Sequence, residues 1–209
     1  MRKKCLWILW TMLLLTGLPN ESALAGSYPE TTALETPLPY QEAQTMAGMT
    51  AKNGVFLAAH LLSDKESKNY FAHELSEDEY LPILVVVSNT TPLRLLVQGA
   101  DATLLAQGRE ITQTPGSEVM LQSREHISLQ VVSMDRPERK YNEYAIRQAA
   151  HFQNFNRKGL SHRILEPGQS VSGMIFFPGR NIDKDALNLR ILAQDLGQIR
   201  YLELEARVQ

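Results

Sequence analysis

The sequence contains a single cysteine, Cys5, and it falls in a stretch that reads as a leader rather than as part of a folded body. A chain exported without other cysteines has no disulfide, no thiol nucleophile and no thiolate metal site, so an apolar core must stabilise it. Charge of one sign is lacking too. The formal net charge is -2, which gives no electrostatic footprint for nucleic acid. Long hydrophobic runs are confined to the N-terminus, and no later window approaches the about 20 apolar residues that a membrane-spanning helix needs. Neither G-x-G-x-x-G nor G-x-x-x-x-G-K-[ST] occurs, which removes the usual phosphate-cradling fingerprints.

Other chemistry is also short of its signatures. The five histidines are His60, His73, His126, His151 and His162. No two stand at the i,i+4 spacing of a helical zinc pair or the i,i+2 spacing of a strand pair, so no metal site is expected. The text nearest a Gly-x-Ser-x-Gly nucleophile elbow is Gly168-Gln169-Ser170-Val171-Ser172-Gly173. It misses by one residue and leads into a strand pattern where the elbow requires a helix. Glu77-Asp78-Glu79 and Asp183-Lys184-Asp185 lack the ligand order of a calcium loop and read as solvated loop acids. No catalytic residue, metal or cofactor is assigned.

What is present starts with the leader. Arg2, Lys3 and Lys4 precede the mainly apolar stretch Cys5 to Leu18, and Ala23-Leu24-Ala25 forms a small-x-small cleavage site before Gly26. Residues 1–25 therefore read as a signal peptide cleaved after Ala25, with an uncleaved anchor as the rival reading. The expected location is periplasmic or secreted. Residues 26–51, with Pro29, Pro37 and Pro39, carry no apolar period and read as a flexible or loosely docked arm. The folded domain is then expected over 52–209, beginning near Lys52-Asn53-Gly54.

Short strands dominate that domain. Val55 to Leu62 and Leu93 to Gln98 are β-compatible, and Ile83 to Val87 is so uniformly apolar that burial on both faces is expected. Gln169 to Phe177 splits into Val171, Ile175 and Phe177 on one face and Ser170, Ser172, Met174 and Phe176 on the other. Alternation also marks Ile127 to Val132, Leu187 to Ile191, and Leu202 to Val208, the cleanest amphipathic strand. The pairs Pro115-Gly116, Pro167-Gly168 and Pro178-Gly179 read as turns. This pattern predicts a mainly β fold, an antiparallel immunoglobulin-like β-sandwich.

Two helices interrupt the strands. Asp64 to Leu75 reads as a short one capped by Asp64, and a longer insertion is expected near 137–158, between Pro137 and Gly159. Basic residues and aromatics interleave in the insertion, and arginine and aromatic side chains anchor protein interfaces. Tyr141, Tyr144, Arg147 and Phe152 are the candidate partner-binding residues, with Phe155 on the same stripe.

Tyr80-Leu81-Pro82-Ile83 running into Val85-Val86-Val87-Ser88-Asn89-Thr90-Thr91 resembles the early strand of bacterial immunoglobulin-like envelope domains of unknown function. Leu165 to Gly173, followed by Phe176-Phe177-Pro178, is similar to their strand-turn-strand signature. The resemblance implies the sandwich fold and no catalytic residues. The expectation drawn from the whole sequence is an exported, non-enzymatic accessory or protein-interaction domain whose partner is an envelope protein. A hydrolase acting on envelope polymers and a small-ligand carrier are the alternatives, and oligomeric state stays open.

Overall fold

The computed structural model describes residues 35–127 and 149–209, with side chains described at all of these except 124–127. Among the described residues, ten strands form two antiparallel sheets. The first sheet contains β1 (Thr50–Lys52), β2 (Val55–Leu61), β3 (Tyr80–Asn89) and β8 (Ser170–Pro178), in that spatial order. The second contains β4 (Leu95–Gln98), β5 (Thr103–Ala106), β6 (Arg109–Thr112), β7 (His162–Leu165), β9 (Leu187–Asp195) and β10 (Arg200–Arg207). Here β9 is the hub. β10 runs along one side of it, while its other side is shared by β5 near Leu187 and by β4 near Asp195. β6 and β7 then flank β5 and β4.

The order β2-β3-β8 in one sheet and β4-β9-β10 in the other is the A-B-E and C-F-G arrangement of immunoglobulin-type sandwiches. The expected antiparallel sandwich with an inserted helix is therefore the fold of this chain. Its main core lies between the sheets, where Leu57, Ile83, Val85, Leu104, Ile175, Phe177, Leu189, Ile191 and Leu204 are buried. One lateral opening is closed by the C-terminus. Gln209 exchanges backbone hydrogen bonds with β2, donating to Ala59 O and accepting from Leu61 N.

A helical layer covers the outside of the first sheet. It is built from α1 (Asp64–Phe71), α2 (Gly116–Ile127) and α3 (residues 149–158). Phe71, Phe155 and Phe176 meet there with ring centroids 4.6 to 5.5 Å apart, joined by Leu75, Leu84, Val119 and Met174. Every residue of β3 is buried for this reason: odd-numbered residues face the sandwich core, and even-numbered ones face the helices and the N-terminal segment. The same split along β8 sends Ile175 and Phe177 inward and Met174 and Phe176 outward.

Local chemistry explains the punctuation, with several corrections. Asn53 and Gly54 both take positive φ, as a two-residue hairpin turn between β1 and β2 requires. The sheet thus extends back to Thr50, and farther back Ala43 is fully buried with its amide donating to Ser88 Oγ at 2.9 Å. The last part of the segment read as an arm is docked, with Met46 packed beside Ala43 and Leu38 packed against the apolar cluster of Phe71, Phe155 and Phe176. The cap of α1 is Ser63, one residue before the expected Asp64, because Ser63 and Glu66 form a reciprocal capping box. Pro115-Gly116 opens α2 instead of making a turn: proline suits a helix start, and Glu118 N and Val119 N both donate to Pro115 O. Ile127 belongs to that helix, so the strand expected from it does not start there. Pro167-Gly168 is a turn as expected, with Gly168 at φ +75 and Gln169 N donating to Glu166 O. Pro178 instead ends β8 in register with Tyr80.

Candidate functional site: the outer face and loop end of the second sheet

The outer surface of an antiparallel sheet is ordinarily polar. Register gives the second sheet a different surface. Tyr201 of β10 pairs with Gln194 of β9, Gln194 with Leu96 of β4, and Leu96 with Ile164 of β7. Directly paired residues point to the same side, so these four make one row across four strands. The inner neighbours Leu95, Val97 and Ala193 are in the core, which puts the row on the outside. Tyr201 is 59% and Ile164 52% exposed, with Leu96 and Leu192 half-buried between them.

The row ends at a cluster of loops held by one buried side chain. Asn89, fully buried at the end of β3, donates through Nδ2 to the carbonyls of Leu93, Leu165 and Glu166. Its Oδ1 accepts from Thr91 N at 3.0 Å and Thr91 Oγ1 at 2.6 Å. Its backbone adds two bonds to the β7–β8 turn, donating to Gln169 O and accepting from Gly168 N. One amide thus ties the β3–β4 loop to the β7–β8 loop, and the exposed Arg94–Glu166 pair braces them from outside. Leu196 N reaches Arg94 O, which brings the β9–β10 turn into the same group.

That turn is strained. Ile199 has φ +53, a left-handed conformation that a β-branched residue seldom takes, and its side chain is 74% exposed. Asp195 Oδ1 fixes the turn by accepting from Gly197 N at 2.8 Å. Large exposed apolar residues therefore collect here: Leu93, Ile164, Leu196, Ile199 and Tyr201 all sit on the elements meeting at this end.

The predicted partner-binding helix is described only in part. Tyr141, Tyr144 and Arg147 lie outside the described residues. Phe152 is on α3 and 41% exposed, whereas Phe155 is buried in the helical layer. The C-terminal part of α3 is anchored by Lys158, 3% exposed, whose Nζ donates to Tyr70 O in the last turn of α1 at 2.5 Å. Asn154 donates to the same carbonyl at 2.8 Å. Burial pushes the Lys158 ammonium down to about 8, and the nearby Arg157 charge adds to the effect.

Titratable groups elsewhere form pairs. His60 Nε2 lies 3.2 Å from Glu66, which also accepts from the Ser63 hydroxyl at 2.6 Å. Burial alone would raise the Glu66 carboxyl, but the Ser63 hydroxyl and amide and His60 hold it below its usual range. The carboxylate stands between serine and histidine, so His60 does not contact the Ser63 hydroxyl to activate it as a nucleophile. His73 pairs with Asp78 at 2.5 Å, and Asp78 is nearly buried, unlike the solvated acid expected in that loop. Asp183 caps the short turn at Lys184–Ala186 by accepting from Asp185 N. Among the described residues no three His, Cys, Asp or Glu side chains gather as metal ligands, and no helix is long and apolar enough to cross a membrane. Ser170 of the elbow-like text is on the outer face of the first sheet, hydrogen-bonded to Ser88 Oγ at 2.7 Å.

No known family model matches this chain, and no curated protein matches it. Among solved structures it is similar to the yjhA protein from Bacillus subtilis, at a TM-score of 0.35 and 8% identity over 69% of this chain and 77% of that one. A superposition that loose leaves the fold to be argued from the strand order itself.

Proposed function

We propose that the protein is an exported, non-enzymatic interaction module of the cell envelope, and that its contact surface is the outer face and loop end of the second sheet. The observation behind this reading is the Tyr201–Gln194–Leu96–Ile164 row, with exposed apolar side chains at both ends and Leu196 and Ile199 beside it. Strain at Ile199 adds support, since left-handed β-branched residues persist where surrounding structure holds them for use.

Faces suit this role better than edges. β7 has four residues and directs Arg163 toward the side of Val97, an inward charge that discourages strand addition. On the β10 edge, Lys52 Nζ donates to Glu203 O and occupies a carbonyl that an added strand would need. Thr114 N and Leu160 N take the free carbonyls of Phe176 and Met174 on β8. The β7, β8 and β10 edges are thus guarded. The helix stays as a second reading, supported by the exposure of Phe152.

The test is photo-crosslinking in the native envelope, with the probe placed at Tyr201, Ile164, Phe152 or the control site Arg180, which is exposed after β8 of the first sheet. Adducts from Tyr201 and Ile164 and none from Arg180 are expected. Adducts from Phe152 alone would move the contact surface to the helix, and no adducts at any position would end the interaction reading.

A further inference from the structure

The same outer face carries its own complement. β10 and β7 run antiparallel, being separated by β9 and β4 with each neighbour reversed. Two residues on from Tyr201 is Glu203, and two residues back from Ile164 is His162, so both steps go the same way along the sheet. The first row therefore ends in Tyr201 and Ile164, and the next row ends in Glu203 and His162, with Leu192 and Gln98 between. The left end of the face is aromatic and acidic, and the right end is aliphatic and basic. A rotation of 180° about an axis parallel to the strands, passing between β9 and β4, lays β10 of one copy over β7 of another. Tyr201 then meets Ile164 and Glu203 meets His162, and each contact occurs twice, as an isologous interface requires.

We infer that the partner on this face is a second copy of this chain, in a symmetric face-to-face sheet dimer. The inference rests on the reading of this face as the contact surface and adds the identity of what covers it. Contacts within one chain leave this pairing available. Arg190 is hydrogen-bonded to Glu110 at 2.6 Å and acts on the Glu203 carboxylate through space alone. Among the described residues, His162 lies 3.8 Å from Asp101. Aligned packing of two twisted sheets is an ordinary geometry for such faces. Size sets the strength. Four strands about 4.8 Å apart by three rows about 7 Å apart give on the order of 400 Å² per copy, half of what a standard interface covers on each partner. The dimer therefore belongs to the weak class, and its population follows protein concentration.

The experiment is sedimentation velocity of the mature chain over a wide concentration range, together with the variants Glu203→Lys, His162→Glu and the two combined. All these sites are exposed, so folding is monitored only by an unchanged melting temperature. The expected result is an average mass climbing from one chain toward two, each single variant weakening association by about tenfold and the reciprocal pair recovering most of it. A mass that stays at one chain at every concentration, or association unaffected by either single variant, overturns the dimer. If the Tyr201 photoprobe in the native envelope still captures a different protein, the interaction reading survives that loss. If it captures nothing, both fail together.

Discussion

The two sheets share one core and differ in what lies behind them. The first sheet has helices and the docked N-terminal segment on its outer side, so β3 is buried on both faces. On the outer side of the second sheet, Tyr201 and Ile164 remain largely exposed. Apolar side chains behind the first sheet hold the fold together. Those on the outside of the second sheet are left largely uncovered by the chain, and the proposed contact role would use them. The difference teaches that the same residue types, on strands of the same sandwich, can serve stability or contact according to whether the chain supplies its own cover.

The largest effect expected from this contrast is at Phe176. Its ring contacts Phe71 and Phe155 behind the first sheet, and Phe176→Ala should cost about 3–5 kcal/mol in denaturant unfolding. On the outside of the second sheet, Ile164→Ala should stay within about 0.5 kcal/mol of the parent. A cost at Ile164 comparable to that at Phe176 would erase the distinction. Next comes Asn89→Ala, which leaves the carbonyls of Leu93, Leu165 and Glu166 without their donor at a buried site. A loss of about 2–4 kcal/mol is expected, with faster amide exchange in the loops at 90–94 and 166–169.

A smaller effect concerns the cover itself. The Lys158 ammonium sits at about 8 in the folded chain against 10.5 when free. Its folded value is depressed, so between about pH 8 and 10.5 the unfolded chain binds more protons than the folded one, and stability rises with pH across that window. The gain is at most about 3 kcal/mol, complete above about pH 10.5 and gone once the pH has fallen to about 8. Unfolding of Lys158→Met across the same window should lack that rise. An identical pH profile in the variant would show that Lys158 is not the group responsible.

How much of this was legible in the sequence follows from the range of the interactions concerned. The uniform apolar run at Ile83 to Val87 announced burial on both faces, and the alternation of β8, β9 and β10 separated their faces correctly, since each is written within a few residues. The β5–β6 hairpin went unread. Its strands have four residues each, and its turn rests on Gln107 and Gly108, both at positive φ, without a flanking apolar run of useful length. Pro115-Gly116 carried two meanings, and only Val119 packing in the helical layer decides for a helix start. The reach of Asn89 to Leu165 and Glu166 had no local signal, since it spans more than 70 residues. The candidate surface was least visible. Leu96, Ile164, Gln194 and Tyr201 become a row only through pairings that join distant parts of the chain.

The scarcity of cysteine allows the most direct measurement. In a Cys5→Ser background, single cysteines at positions 164, 201 and 152 can be labelled with a membrane-permeant maleimide, in the purified dilute protein and in the intact native cell. The account predicts fast labelling at all three sites in dilute solution, and protection in the cell at 164 and 201 but not at 152. Equal labelling of 164 and 201 in both settings, or protection confined to 152, would contradict the claim that the outer face of the second sheet is the contact surface.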